Sequence, residues 1–264
     1  MATMPLPVDA QPIDKRSGVV QRAFALLSAY DESHVALPLR TLARRSGLPA
    51  NTTLRLARTL VELGALEHDA EGRYVIGVGL FEIAALAPRG HGLRRLAMPF
   101  MEDLGRVTGH HILLKIREGA EAVLIERLSP HGSEPLSFRI GGRLPLDSTG
   151  GGLILLAYAP NDIQEEVCRS FTPLPGYEAV QSGDDLRRSL AAIRQDGFVA
   201  ARRSSPWFCA AVAAPIRDDS GAVIAALSVE LRTDRLDNAE ANALVPAVVT
   251  TARAISRRVS PGLL

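Results

Sequence analysis

Cysteine is nearly absent: Cys168 and Cys209 are the only two in 264 residues. That is too few for a disulfide scaffold or a self-contained structural zinc site. Lysine is equally scarce, with Lys15 and Lys115 the only ones among 30 basic residues. Any basic cluster is therefore built from arginine, whose planar fork suits phosphate and guanine edges. No apolar run reaches the roughly 18 residues that a membrane helix needs. Met1 to Ile13 lacks the basic-then-apolar pattern of a secretory signal, so no membrane association and a cytoplasmic location are expected. Net charge is also almost missing. A formal +1 excludes a histone-like chain but leaves room for local patches. What the chain does have is a 47% hydrophobic, 22% charged composition, enough for one large domain or two ordinary ones.

The residue pattern changes along the chain. Residues 1–15 read as a flexible arm with three prolines. Residues 16–76 carry short helical patterns over Val19–Leu27, Leu39–Ser46 and Asn51–Leu63, then a hairpin from Leu66–His68 and Tyr74–Ile76. Residues 77–90 read as a linker helix ending near Pro88 and Gly90. Residues 91–260 mix helices (Leu93–Val107, Thr149–Tyr158, Leu186–Gln195, Asn242–Val259) with strands. The strands fall at His111–Arg117, Ala122–Leu128, Ser137–Ile140, Phe198–Ala201, Phe208–Pro215 and Ala222–Leu231. Pro246 belongs near the start of the last helix or kinks it. The expectation is an α+β chain, with a helical module and hairpin joined to a larger mixed domain.

Leu39 to Leu66, LRTLARRSGLPANTTLRLARTLVELGAL, has the grammar of a helix-turn-helix. Leu42 and Ala43 face inward on the first helix, Gly47 makes the turn, and Leu48 plugs the gap. Thr53, Leu56, Ala57 and Leu60 fall at core spacing on the second helix. Its opposite face carries Asn51, Thr52, Arg55, Arg58 and Thr59. Across Leu39–Leu60 there are five arginines (Arg40, Arg44, Arg45, Arg55, Arg58) and no acid, a field that attracts phosphate. Arg55 is the best candidate for a base edge, and Arg73 on the hairpin is placed to touch flanking backbone as part of a wing.

Chemistry is harder to find in the second half. Gly150-Gly151-Gly152 lacks the lysine and spacing of a phosphate-binding loop. Its glycines instead allow a helix start to approach a strand or ligand closely. His110 and His111 point to opposite faces of a strand, and the other histidines are scattered. No GxSxG nucleophile elbow occurs. Cys209 reads as a small core hydrophobe. No catalytic residue, metal or cofactor is expected.

SGVVQRAFALLSAY at Ser17–Tyr30, the helix-turn-helix block, and GRYVIGVGLFEIA at Gly72–Ala84 resemble the IclR family of bacterial transcriptional regulators. So do GGRLPLDSTGGGLILLAYAP at Gly141–Pro160 and the block Ile193–Arg235. The resemblance spans residues 17 to 258. It implies a winged helix-turn-helix followed by a GAF-like effector-binding domain with an antiparallel sheet. It further implies binding to double-stranded operator DNA as a homodimer or tetramer, and control of genes, often catabolic ones, by a small organic or aromatic acid.

The same resemblance implies an effector cavity lined by three regions. They run around Leu146, Ser148, Thr149 and Gly150, from Ala201 through Trp207 towards Pro215, and around Ser228 and Glu230. Several of these positions depart from the family pattern. Ala201, Arg202 and Arg203 replace the usual acids, Ala211 replaces a frequent cysteine with Cys209 two positions earlier, and Glu230 replaces a serine. An inward Arg202 or Arg203 would pair with a ligand carboxylate, with Trp207 as an aromatic wall. The alternative is that both arginines are on the surface and Trp207 packs on a neighbouring subunit. Two other readings of the whole chain are a protein-interaction module and a metabolite-modifying enzyme with an accessory nucleic-acid domain.

Overall fold

The computed structural model describes residues 17–31, 33–133, 136, 138–173, 180–203, 209–232 and 238–259, without the side chains of 88, 201–203, 209, 232 and 238. The expected arm, residues 1–15, lies outside them. Two compact units divide the chain, one ending at Ala87 and the other continuing from Pro88.

The first unit runs α1 (Val19–Leu27), β1 (Ala36–Leu37), α2 (Leu39–Ser46), α3 (Ala50–Glu62), β2 (Leu66–His68), β3 (Tyr74–Ile76) and α4 (Val78–Ala84). Its three strands pair antiparallel in the order β1-β3-β2. β1 is an addition to the expected hairpin, its two residues facing Val75 and Tyr74. Leu26, Leu37, Leu42, Leu48, Leu56, Ala57, Leu60, Leu66 and Tyr74 form the core, so the expected inward face of α3 is the buried one. Gly47 ends α2 at φ 68°, a conformation that disfavours any side chain. After the hairpin the chain passes tightly over the end of α3. Gly77 donates to the Ala65 carbonyl at 3.0 Å and Gly79 to the Gly64 carbonyl at 3.1 Å. A β-carbon on Gly77 would sit 2.3 Å from the Gly64 oxygen.

The second unit opens with a π-helical turn, Pro88–Gly92, where Pro88 cannot donate and two glycines weaken α-geometry. It continues with α5 (Leu93–Thr108), β4 (His111–Glu118), β5 (Glu121–Leu128), β6 (Arg143–Pro145), α6 (Gly150–Ala157), α7 (Asn161–Ser170) and α8 (Gly183–Asp196). β7 (Val199–Arg203), β8 (Cys209–Arg217), β9 (Val223–Arg232) and α9 (Asn238–Ser256) complete it. The six strands form one antiparallel sheet in the order β6-β5-β4-β9-β8-β7. α5 and α9 cover one face, with Leu93, Met101, Val212, Leu227, Val248 and Ile255 between the layers. α6, α7 and α8 cover the other, over Leu146, Ile154, Leu156, Leu186, Leu190 and Ala213.

Three elements differ from expectation. The described part of the expected strand Ser137–Ile140 is not extended pairing; the edge strand is Arg143–Pro145, against Val123, Ala122 and Glu121. α7 was not expected: its sequence NDIQEEVCRS buries only Val167 and Cys168, which leaves almost no apolar period. α9 starts before the expected Asn242 and carries Pro246 inside it.

The close passage at Gly77 gives a direct test. Gly77→Ala forces the hairpin away from α3 and is expected to destabilise the first unit by roughly 1–3 kcal/mol, read as faster amide exchange in α3 and β3. Exchange in α6 and α9 should not change.

Candidate functional site

On the first unit, α2 and α3 meet across Gly47 with Leu48 buried beneath the turn, and the outer face of α3 is left to solvent. Thr53 is tied into the helix by donating to the Pro49 carbonyl at 3.1 Å. Asn51, Arg55, Arg58 and Thr59 are exposed along one line of α3 and, with Leu54 and Glu62, border a shallow cleft. Thr52 is half-buried beside them, and Arg40 and Arg44 are exposed on α2. Among the described residues Arg40, Arg44, Arg55 and Arg58 make no ion pair.

The other two arginines of the expected DNA face are engaged within the fold. Arg45 donates through Nε to the Ala29 carbonyl and through Nη2 to the Asp31 carboxylate, both at 2.5 Å, with its side chain three-quarters buried. Burial works to raise the Asp31 carboxyl, but hydrogen bonds from His34, Arg45 and the Ser33 amide outweigh it and hold the group below its usual value. Arg45 therefore fastens α2 to the loop after α1 and does not extend the arginine face. Arg73 lies exposed at the hairpin tip, paired with Asp69 and Glu71. Its hydrogen bond to Asp69 is the main cause holding that carboxyl low.

On the second unit those of the expected effector residues whose side chains are described lie where α6 meets the sheet. Thr149 caps α6, its Oγ1 accepting from the Gly152 amide at 3.0 Å. The helix then begins with three buried glycines. A β-carbon on Gly150 would lie 2.9 Å from that of Ala211, and one on Gly152 would lie 2.4 Å from the Leu146 oxygen. At Gly151 it would lie 3.0 Å from Cδ of Lys115 and 3.6 Å from both Lys115 Nζ and Ser228 Oγ. Among the described residues the Ser228 hydroxyl, which is buried, has no hydrogen-bond partner. Ser148, also buried, donates to the Pro145 carbonyl and so holds the turn before the helix. Register sets Ala211 opposite Glu230 and Ala213 opposite Ser228. Trp207 and the side chains of Ala201, Arg202, Arg203 and Cys209 lie outside the described residues.

Two groups at this place escape sequence reasoning. Lys115 is fully buried and donates to Glu230 Oε1 at 3.0 Å, and its ammonium lies 5.4 Å from the centre of the Phe138 ring. Desolvating such a pair is expensive, and removing one partner alone typically costs roughly 3–5 kcal/mol. A signal was present: a single lysine inside HILLKIRE demands a buried counter-charge, and VIAALSVELR contains one acid, Glu230. Phe138 gave none: it falls in the expected strand Ser137–Ile140, and nothing local there ties it to Lys115.

Nothing among the described residues groups three or more His, Cys, Asp or Glu side chains as a metal site. His111 is buried and contacts Ser129 at 2.9 Å, while His110 lies 3.7 Å from Glu240. Burial pushes the Cys168 thiol above its usual value. Among the described residues, no helix is long and apolar enough to cross a membrane.

A helix-turn-helix whose Arg40, Arg44, Arg55 and Arg58 make no ion pair among the described residues, followed by a separate α/β unit on an antiparallel sheet, is the layout of a two-domain DNA-binding regulator. The chain belongs to the IclR family of bacterial transcriptional regulators: the IclR helix-turn-helix domain matches residues 19–70 and the IclR C-terminal domain residues 86–257. It is 29% identical over 227 residues to the HTH-type transcriptional regulator XynR of Escherichia coli K12, covering 84% of this chain and 88% of that one. It is 28% identical to the HTH-type transcriptional repressor AllR of the same strain, over 95% and 93% of the two chains. A solved IclR homologue of Microbacterium hydrocarbonoxydans, complexed with 4-hydroxybenzoate, superposes with TM-score 0.82 at 30% identity, covering 91% of this chain and 99% of that one.

The division among the arginines is measurable. Arg45→Met is expected to weaken the first unit by roughly 1.5–3 kcal/mol, the value of hydrogen bonds to a charged group, seen as faster amide exchange in α2. Arg44→Met should leave exchange unchanged. Because the folded Asp31 carboxyl titrates below its unfolded value of about 3.9, its contribution is complete above that pH and is lost as pH falls through the folded value. The gap between wild type and Arg45→Met should therefore narrow in acid, leaving the share due to the Ala29 carbonyl.

Proposed function

We propose that α3 enters the major groove of double-stranded operator DNA, and that a small organic or aromatic carboxylate held at the start of α6 controls the DNA-bound state. The carrying observation is the split among the arginines: Arg40, Arg44, Arg55 and Arg58 have no ion pair among the described residues, in the one stretch that has five arginines and no acid. In this reading Arg55 and Asn51 reach base edges, while Arg40, Arg44, Arg58, Thr52 and Thr59 position the backbone. The β2–β3 hairpin is the wing, with Arg73 at the flanking phosphates once it leaves Asp69 and Glu71.

A homodimer fits a two-fold operator. Exposed apolar side chains on α1 (Val19, Val20, Phe24) and α4 (Val78, Phe81, Ile83) support pairing through the first unit, since a monomer gains nothing from showing them to water. Tetramers would form through the second unit. We read that unit as GAF-like, on its six-stranded antiparallel sheet with helices on both faces. An aromatic carboxylate is supported by Lys115, Ser228 and Phe138 around the α6 start, and by the 4-hydroxybenzoate in the related solved structure. The effector acts by binding one arrangement better than another, without catalysis. Catabolic genes are the targets that the family resemblance implies.

The test is binding of the full chain to DNA upstream of its own gene, by footprinting and anisotropy at several salt concentrations. Arg55→Ala should cost about 1–3 kcal/mol and relax specificity at one position of each half-site. Arg58→Ala should weaken all sequences alike and lower the salt slope by about one. Adding organic and aromatic acids should shift the affinity. Equal, weak binding to all DNA, indifferent to Arg55→Ala, would favour the protein-interaction module instead.

A further inference from the structure

Two buried side chains at the α6 start, Lys115 and Glu230, cancel each other's charge. Lys115 supplies one positive charge and Glu230 one negative, 3.0 Å apart and almost without exposure. His111 stands beside Glu230 in the strand register and contacts Ser129. A bare monocarboxylate arriving here would bring a second negative charge next to Glu230, in a place where water screens poorly. Sharing the three-donor Lys115 ammonium would leave two buried negative charges facing one positive charge, which such a place tolerates poorly. An acid that also carries a hydroxyl or amino group offsets this. Its carboxylate meets Lys115, the positive end of α6 and the Ser228 hydroxyl, which has no partner among the described residues, while its own donor gives Glu230 a further hydrogen bond.

We infer that Glu230, through its pair with Lys115, makes this site select acids bearing a second hydrogen-bond donor over the matching plain acids. The inference rests on the effector reading above and gives the ligand class of that same site. Ser228 Oγ and Lys115 Nζ both border the bare face of Gly151, so the carboxylate end is shared by all acids. Glu230 is where discrimination arises.

The test is calorimetry on the full chain with two matched pairs of probes: benzoate against 3- and 4-hydroxybenzoate, and propionate against lactate. In at least one pair the hydroxylated acid should bind about tenfold or more tightly than the plain one. Glu230→Gln, which keeps shape and can still accept from Lys115, should bring that ratio close to one, mainly by tightening the plain acid. Should that variant fail to fold, Ser228→Ala serves instead and should weaken both members of a pair by the same factor. The paired change Lys115→Met with Glu230→Gln, which leaves no unpaired charge, should lose both acids while circular dichroism stays native. A wild-type ratio near one, a ratio unmoved by Glu230→Gln, or a Ser228→Ala loss confined to one member overturns this inference and leaves the effector reading standing. No heat with any acid, together with no shift in DNA affinity, overturns both.

Discussion

How near α6 can come to the sheet governs the second unit. Three successive glycines let the helix backbone rest on Ala211, on the Lys115 side chain and on the Leu146 carbonyl, where a β-carbon would collide at Gly150 and Gly152 and crowd Lys115 at Gly151. That closeness seals Lys115 and Glu230 from water, and sealed charges must answer each other. It also brings the first turn of a helix beside the Ser228 hydroxyl, which has no partner among the described residues. Glycine here is a spacing device, and it does not serve as a flexible joint: none of the three has a positive φ. The small residues opposite, Ala211 and Ala213, complete the same requirement from the strand side.

In the first unit the governing choice is which arginines are already occupied. Arg45 and Arg73 have internal carboxylates, Asp31 and Asp69 with Glu71, and those partners fix the loop after α1 and the hairpin tip. The remaining arginines keep their hydrogen-bonding capacity for something outside the fold. One residue type thus does two jobs within one short segment, and composition alone gives both the same sign. The domain charges are nearly balanced as well: residues 1–90 carry ten Lys/Arg against nine Asp/Glu, and residues 91–264 carry twenty of each. Local pairing, invisible in such totals, decides which charges remain available to a polyanion.

The inward face of α3, the Gly47 turn and the hairpin were legible because helix and strand periods act locally and leave their mark at fixed offsets. The turn between β8 and β9 is held just as locally, Asp218 collecting the Ser220 and Ala222 amides. α7 was not, since a mostly solvated helix needs no apolar stripe. β6 was misplaced because a three-residue edge strand is defined by its neighbour, and Arg143–Pro145 has no alternation of its own. The site divided in the same way. Ser228, Glu230, Thr149 and Gly150 came from block resemblance, whereas Lys115 required knowing that a residue 115 positions away supplies its counter-charge. Arg45 needed a tertiary partner too: nothing in ARRSG tells which of two adjacent arginines turns inward.

The scarcity of lysine has a last consequence. Reagents that acylate amines pass over guanidinium groups, so in this chain they have few places to react. Lys15 lies outside the described residues, and Lys115 has no exposed surface at all. Its amine becomes nucleophilic towards solvent only in those moments when the Glu230 contact opens and the helix start lifts. The rate at which one position acquires an acyl group is therefore a clock for that opening, written into the native protein without any introduced label.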